Sequence, residues 1–159
     1  MKQTDNFKFD EANVMNELVY RNLSEDEKRQ ICAWKYGGEY DLYNLPAYEE
    51  MQVRQIGFMN PKSEKNYYGF WDESILVGFV NILEEKEEVF IGIGVNPDLC
   101  NKHYGQRMLL ITYEISKKLY PNKPLYLEVR TWNIRAIKCY QKAGFRIDGQ
   151  AYELTTGIG

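Results

Sequence analysis

The chain is predicted to fold as one α/β (α+β) domain, a mixed sheet covered by helices. Three observations carry that prediction. The 159 residues favour a single domain long enough to bury a core without disulfides. From Val89 onward, strand, helix, strand, helix and strand patterns follow one another. Hydrophobic residues at 44% and charged residues at 27% exclude a disordered chain.

The elements follow in order. Residues 1–16 are polar and weakly patterned and read as an N-terminal extension, which leaves 17–159 as the domain. Glu17 to Asn22 alternates as a first strand. Ser24 with Glu27 forms a capping-box pattern for a helix to about Trp34, with a polar turn as the competing reading. Pro46 can open a second helix through roughly Gln55. Tyr67 to Trp71 and Ile75 to Leu83 read as a hairpin turning at Asp72-Glu73. Val89 to Val95 is a short apolar run, expected as a central strand buried on both faces. Gly92 and Gly94 inside it predict a bulge or a close backbone approach.

After Asn96 to His103 the period changes. Met108, Ile111, Thr112, Ile115 and Leu119 recur at helical spacing, and Pro121 and Pro124 end that helix. Leu125 to Val129 alternates as a strand. Asn133 to Lys142 reads as a helix closed by Ala143-Gly144, and Phe145 to Tyr152 as a further strand.

Composition narrows the function. A formal net charge of −3 and no basic stripe argue against a nucleic-acid partner. Cys32, Cys100 and Cys139 are odd in number and contain no CxxC pair. A disulfide framework or metal site is therefore not expected, and a reducing cytoplasm is. Met1 to Asp10 is no signal peptide, and no apolar run reaches membrane-spanning length, so no membrane partner is expected.

Two segments concentrate the chemistry. Val95 to Gln106 leaves a buried strand and opens a helix, so free backbone N–H groups and the helix dipole converge where a pyrophosphate could sit. A solvated turn is the bland alternative. In the second segment Asn133, Ala136, Ile137 and Tyr140 lie at i, i+3, i+4 and i+7, on one helix face. An amide and a phenol on an apolar stripe need partners if buried; for Tyr140 alone core packing is the plainer reading, and for the set a ligand groove is.

The two segments together resemble the GNAT superfamily of N-acetyltransferases, over roughly Glu17 to Tyr152. The pattern N-x-x-A-x-x-x-Y-x-x-x-G-F is complete from Asn133 to Phe145. Leu127 to Asn133 (LEVRTWN) resembles the ribosomal-protein N-terminal alanine acetyltransferases. The first loop resembles the signature V-x-P-x-x-R/Q-x-x-G-x-G/A: Val95, Pro97 and Gly105 fit, whereas Cys100 replaces Arg or Gln and His103 replaces Gly. A side-chain change need not abolish binding by backbone amides. A non-glycine at His103 restricts the backbone, so weaker or differently shaped cofactor binding is expected rather than its loss.

The resemblance implies a mostly antiparallel sheet with two parallel central strands that splay apart, and acetyl-CoA as co-substrate, with no metal. Ile93, Gly94 and Val95 would pair with the pantetheine arm, a backbone N–H there would hold the oxyanion, and Asn133 would bond the arm. Cys100, Asn101, Lys102, His103, Tyr104, Gly105 and Gln106 would hold the phosphates. Tyr140 would be the general acid and Glu128 the base, acting through water; a surface carboxylate paired with Arg130 or a lysine is the alternative for Glu128. The family's last strand has no counterpart in Glu153 to Gly159. That would leave an open edge that another chain could fill, as in a homodimer.

On the acceptor side, Trp34, Tyr36, Glu39, Tyr40, Asp41, Tyr43 and Tyr48 mix aromatics with acids. That suits a cationic amine, either a small molecule or a peptide N-terminus. It suits still better an ordinary aromatic core with an acidic rim. Two rivals stand beside the enzyme: a non-catalytic acyl-CoA-binding regulatory module of the same fold, favoured by the altered loop, and an unrelated α/β interaction domain.

Overall fold

The computed structural model describes residues 1–3 and 18–148. Among them seven strands form one sheet: β1 (Lys2–Gln3), β2 (Val19–Asn22), β3 (Tyr67–Asp72), β4 (Ile75–Glu84), β5 (Val89–Val95), β6 (Leu125–Tyr126) and β7 (Phe145–Arg146). Their spatial order is β2-β3-β4-β5-β6-β1-β7. Every neighbouring pair is antiparallel except β5 and β6, which run parallel. The helices are α1 (Glu25–Cys32), α2 (Tyr48–Arg54), α3 (Tyr104–Leu119) and α4 (Ile134–Lys142).

Local chemistry explains most boundaries. Ser24 and Glu27 close the capping box that starts α1, each side chain bonding the other's backbone N–H. Asn133 caps α4 through Oδ1, which accepts from the Ala136 N–H at 3.1 Å. Gly144 follows that helix at φ +96°, the left-handed turn that a glycine takes readily. The β3–β4 hairpin turns at Glu73-Ser74, one residue beyond the expected Asp72-Glu73, because Asp72 still pairs with Ile75.

The strand faces divide the core. Val77, Val80, Ile82, Ile91, Leu125 and Leu127 pack with Met108, Leu109 and Ile115 of α3. Leu76 packs instead with Ile31 of α1, Met51 of α2 and Phe58. Leu76 and Val77 are chain neighbours in different clusters, and Val77 shares its cluster with Val80 and Ile82 because the register shift opposite Phe70 and Trp71 changes the phase of the pleat there.

Several expectations need correction. Val89–Val95 pairs with β4 in unbroken register, so Gly92 and Gly94 mark no bulge; the irregularity lies between Phe70 and Trp71. Only the first part of β5 is buried, and from Gly92 it is half-buried. The strand expected over Leu125 to Val129 is laddered only at Leu125–Tyr126, although Leu127 still exchanges hydrogen bonds with Met1. The polar N-terminus contributes β1, which lies between β6 and β7. The rest of the expected extension and first strand, residues 4–17, lies outside the described residues. So does the end of the last expected strand and the tail, residues 149–159.

Candidate active site

The parallel pair β5–β6 is joined at only two positions, Val89 with Leu125 and Phe90 with Tyr126. Beyond Phe90 the strands part. Which backbone groups of β5 face the gap follows from the ladder. The Asn96 N–H donates to the Val77 carbonyl at 2.8 Å, on the β4 side, and the Val89 N–H donates to the Pro124 carbonyl at 2.9 Å, on the β6 side. Antiparallel pairing alternates, so Ile91, Ile93 and Val95 turn their N–H and C=O groups away from β4; the Ile91 N–H is taken up by the Phe90–Tyr126 pairing, and Ile93 and Val95 face the gap. Gly94 lies between them. A Cβ there would collide with the Phe79 ring, so position 94 accepts only glycine while Phe79 keeps its place.

The loop after β5 is pinned by Asn96. Its Nδ2 donates to the Leu76 carbonyl at 3.1 Å, and its Oδ1 accepts from the Asp98 N–H at 3.0 Å. Asn101 and His103 then take left-handed conformations, φ +68° and +65°, and His103 is the residue before α3. No side chain caps α3, and no acid lies in its first turn. The N–H groups of Tyr104, Gly105 and Gln106 therefore keep their donor capacity at the positive end of a 16-residue helix. Gly105 is buried, with the Cys139 sulfur and Val95 above its Cα. Asn101, Lys102 and His103 are exposed. Burial pushes the Cys100 thiol up, and its Sγ sits 3.7 Å from the Asn96 carbonyl oxygen, so it has no thiolate character.

Across the gap stands α4. Tyr140, like Val95, Leu99 and Tyr104, packs against the main core cluster, with Tyr43 and Tyr36 near its phenol. Burial, with Cys139 and Tyr43 nearby, raises its phenol above the usual range. Asn133 is 6% exposed, and its Nδ2 donates to the Tyr43 hydroxyl at 3.0 Å. Glu128 is exposed just after β6, and among the described residues it forms no ion pair, with Arg130 or otherwise. Its charge acts on the Met1 ammonium and Tyr126.

The structure thus gathers Val95, the start of α3, Asn133 and Tyr140 around one gap, and leaves Glu128 on the exposed chain leading from β6. The aromatic acceptor-side set divides. Trp34 and Tyr48 belong to the core beneath α1 and α2. Tyr36 and Tyr43 reach the gap: the Tyr36 hydroxyl donates to the Val95 carbonyl at 2.6 Å. Asn96 and Arg135 were not singled out from sequence. For Asn96 the signal was present, since Asn-Pro after a strand is a turn-forming pair. Among the described residues no group of three or more acidic, histidine or cysteine side chains could hold a metal, and no helix is long and apolar enough to cross a membrane.

Comparison with known proteins agrees with this geometry. The model of the acetyltransferase (GNAT) family matches residues 24–145. A search of curated proteins found no match. Among solved structures, a GNAT-family acetyltransferase from Bacillus anthracis superposes with a TM-score of 0.68 at 18% identity, over 83% of this chain and 81% of that one. Spermidine N-acetyltransferase from Vibrio cholerae, in complex with CoA and spermine, gives 0.66 at 17% identity over 84% and 83%. AAC(6')-Ib, in complex with ribostamycin and coenzyme A, gives 0.66 at 16% over 83% and 84%. At such identities these structures establish the shared fold. The family match spans most of the chain, and with it the chain belongs to the acetyltransferase (GNAT) family and is an acyltransferase.

Proposed function

We propose that this acyltransferase moves an acetyl group from acetyl-CoA to a primary amine at the head of the β5–β6 gap. The observation that carries the reading is the β5 edge: beyond the Phe90–Tyr126 pairing, Ile93 and Val95 turn backbone groups toward the gap, and the Tyr140 phenol lies near Tyr36, whose hydroxyl meets the Val95 carbonyl. An extended amide-bearing arm fits such an edge as an added strand. Ile93, Gly94 and Val95 would hold the arm, with Asn133 opposite. Cys100, Asn101, Lys102, His103, Tyr104, Gly105 and Gln106 would surround the phosphates, chiefly through backbone N–H groups.

Acetyl-CoA supplies the acetyl group as an activated thioester. The acceptor must be a neutral amine to attack, and Glu128, reached through water, takes the proton. As the nitrogen–carbon bond forms and the carbon–sulfur bond breaks, Tyr140 gives its phenolic proton to the departing sulfur and regains one from solvent. Its raised pKa keeps that proton in place at neutral pH. A backbone N–H of β5 facing the gap would hold the oxyanion.

The acceptor is a small-molecule amine or a peptide N-terminus. The named neighbours that act on spermidine or bind ribostamycin favour an amine-rich small molecule. The unpaired cysteines suit a cytoplasmic setting. Calorimetric titration with CoA tests the cofactor site. Micromolar binding is expected, and no binding at millimolar ligand would overturn the reading.

A further inference from the structure

Two of the groups proposed to hold the cofactor arm are already in use. The Val95 carbonyl, which faces the gap, accepts from the Tyr36 hydroxyl at 2.6 Å. The Asn133 amide donates to the Tyr43 hydroxyl at 3.0 Å. Both tyrosines come from the connection between α1 and α2. It leaves the core at Trp34, winds as a 3-10 helix over Gly38–Tyr43, and returns to the core at Tyr48.

This connection spans the gap from one wall to the other. On the β5 wall it holds Val95. On the α4 wall the Tyr40 and Tyr43 rings lie 5.6 and 6.2 Å from Trp132, and the Arg135 guanidinium stacks over Tyr40 at 4.2 Å. The segment is also tied to itself: the Tyr36 N–H donates to Asn44 Oδ1 at 2.6 Å, so its two ends are clasped. Gly37 precedes the 3-10 helix and Gly38 opens it. Gly38 sits at φ +59°, and a Cβ at either glycine would touch nothing within 4 Å. A glycine pair in open space is where such a segment can pivot.

We infer that Lys35–Asn44 is an autoinhibitory strap, fastened by Tyr36 and Tyr43 over the cofactor groove and released when acetyl-CoA takes the Val95 carbonyl and the Asn133 amide. The inference rests on the cofactor reading above.

Stopped-flow mixing with CoA, followed by tryptophan fluorescence with Trp132 as the reporter, tests the strap. Tyr36→Phe removes one fastening and leaves the ring. It is expected to bind CoA about fivefold faster and correspondingly tighter, the factor that one hydrogen bond of ordinary net strength commands. Unchanged or slower association overturns the strap. As a second measurement on the unaltered protein, amide hydrogen exchange across Gly38–Asn44 is expected to speed up when CoA saturates. Slower or unchanged exchange says that the segment stays fastened and is a fixed wall. If neither protein binds CoA, the cofactor reading itself fails, an outcome distinct from equal binding by both.

Discussion

Asn133 and Tyr43, ninety residues apart in sequence, are joined by a 3.0 Å hydrogen bond from the asparagine Nδ2 to the phenolic oxygen. The other end of the same amide caps α4. One side chain therefore sets the start of the helix that carries Tyr140 and fastens the opposite wall of the gap. Asn133→Ala removes both bonds. It should lower stability by about 1 kcal/mol, the usual cost of a lost cap. CoA affinity should fall more than turnover does. Titration and thermal melts check the two effects, and an unaltered dissociation constant would take Asn133 out of the cofactor site.

Tyr140→Phe keeps the ring that packs against the main core and deletes only the hydroxyl. Turnover should slow by about 10²–10⁴, the range of general acid catalysis, while CoA affinity holds. Steady-state kinetics beside a CoA titration separate the two effects. Unchanged turnover would remove Tyr140 from the mechanism.

Burial raises the Tyr140 phenol above its ordinary value of 10.0, and Cys139 and Tyr43 push the same way. A raised pKa preserves the proton-bearing form to higher pH. The rate at saturating substrates should hold up to about pH 10, with no fall in the range where a free phenol titrates. A pH–rate profile that falls near pH 9 and is flattened by Tyr140→Phe would contradict this.

Stability should fall in acid through Glu25. The Tyr48 hydroxyl donates to its carboxylate at 2.6 Å and the Lys28 ammonium at 3.1 Å, which holds its pKa below the ordinary 4.5. A carboxylate with a depressed folded pKa stabilises the fold above its unfolded value and loses that contribution as pH falls through the folded one. Melting temperatures should therefore drop from about pH 4.5 downward. In Tyr48→Phe, which lacks the largest cause of the shift, the drop should be shallower.

What the sequence made legible was local. The capping box at Ser24 and Glu27, the β3–β4 hairpin, the apolar run Val89–Val95 and the helix from Asn133 to Lys142 are written in neighbouring residues, and all of them stand. What it hid was non-local. Strand β1 is two polar residues with no period of their own, placed by pairing with Tyr126, Phe145 and Arg146. Leu125 to Val129 alternates as a longer strand would, yet beyond Tyr126 it has no β5 partner, because the two strands part there. The aromatic cluster from Trp34 to Tyr48 looked like core by composition. Composition could not show that Tyr36 reaches across fifty-nine residues to Val95 while Trp34 stays beneath the sheet.

The central claim is acetyl transfer from acetyl-CoA to an amine, with Tyr140 donating to the departing sulfur. The direct measurement is thiol release from acetyl-CoA with a panel of polyamines, aminoglycosides and peptides with free N-termini, with products weighed by mass spectrometry. The account predicts one acetyl group gained on an amine of at least one class, and a rate at least about a hundredfold lower for Tyr140→Phe. Release of CoA without an acetylated product, or equal rates for the two proteins, would contradict it.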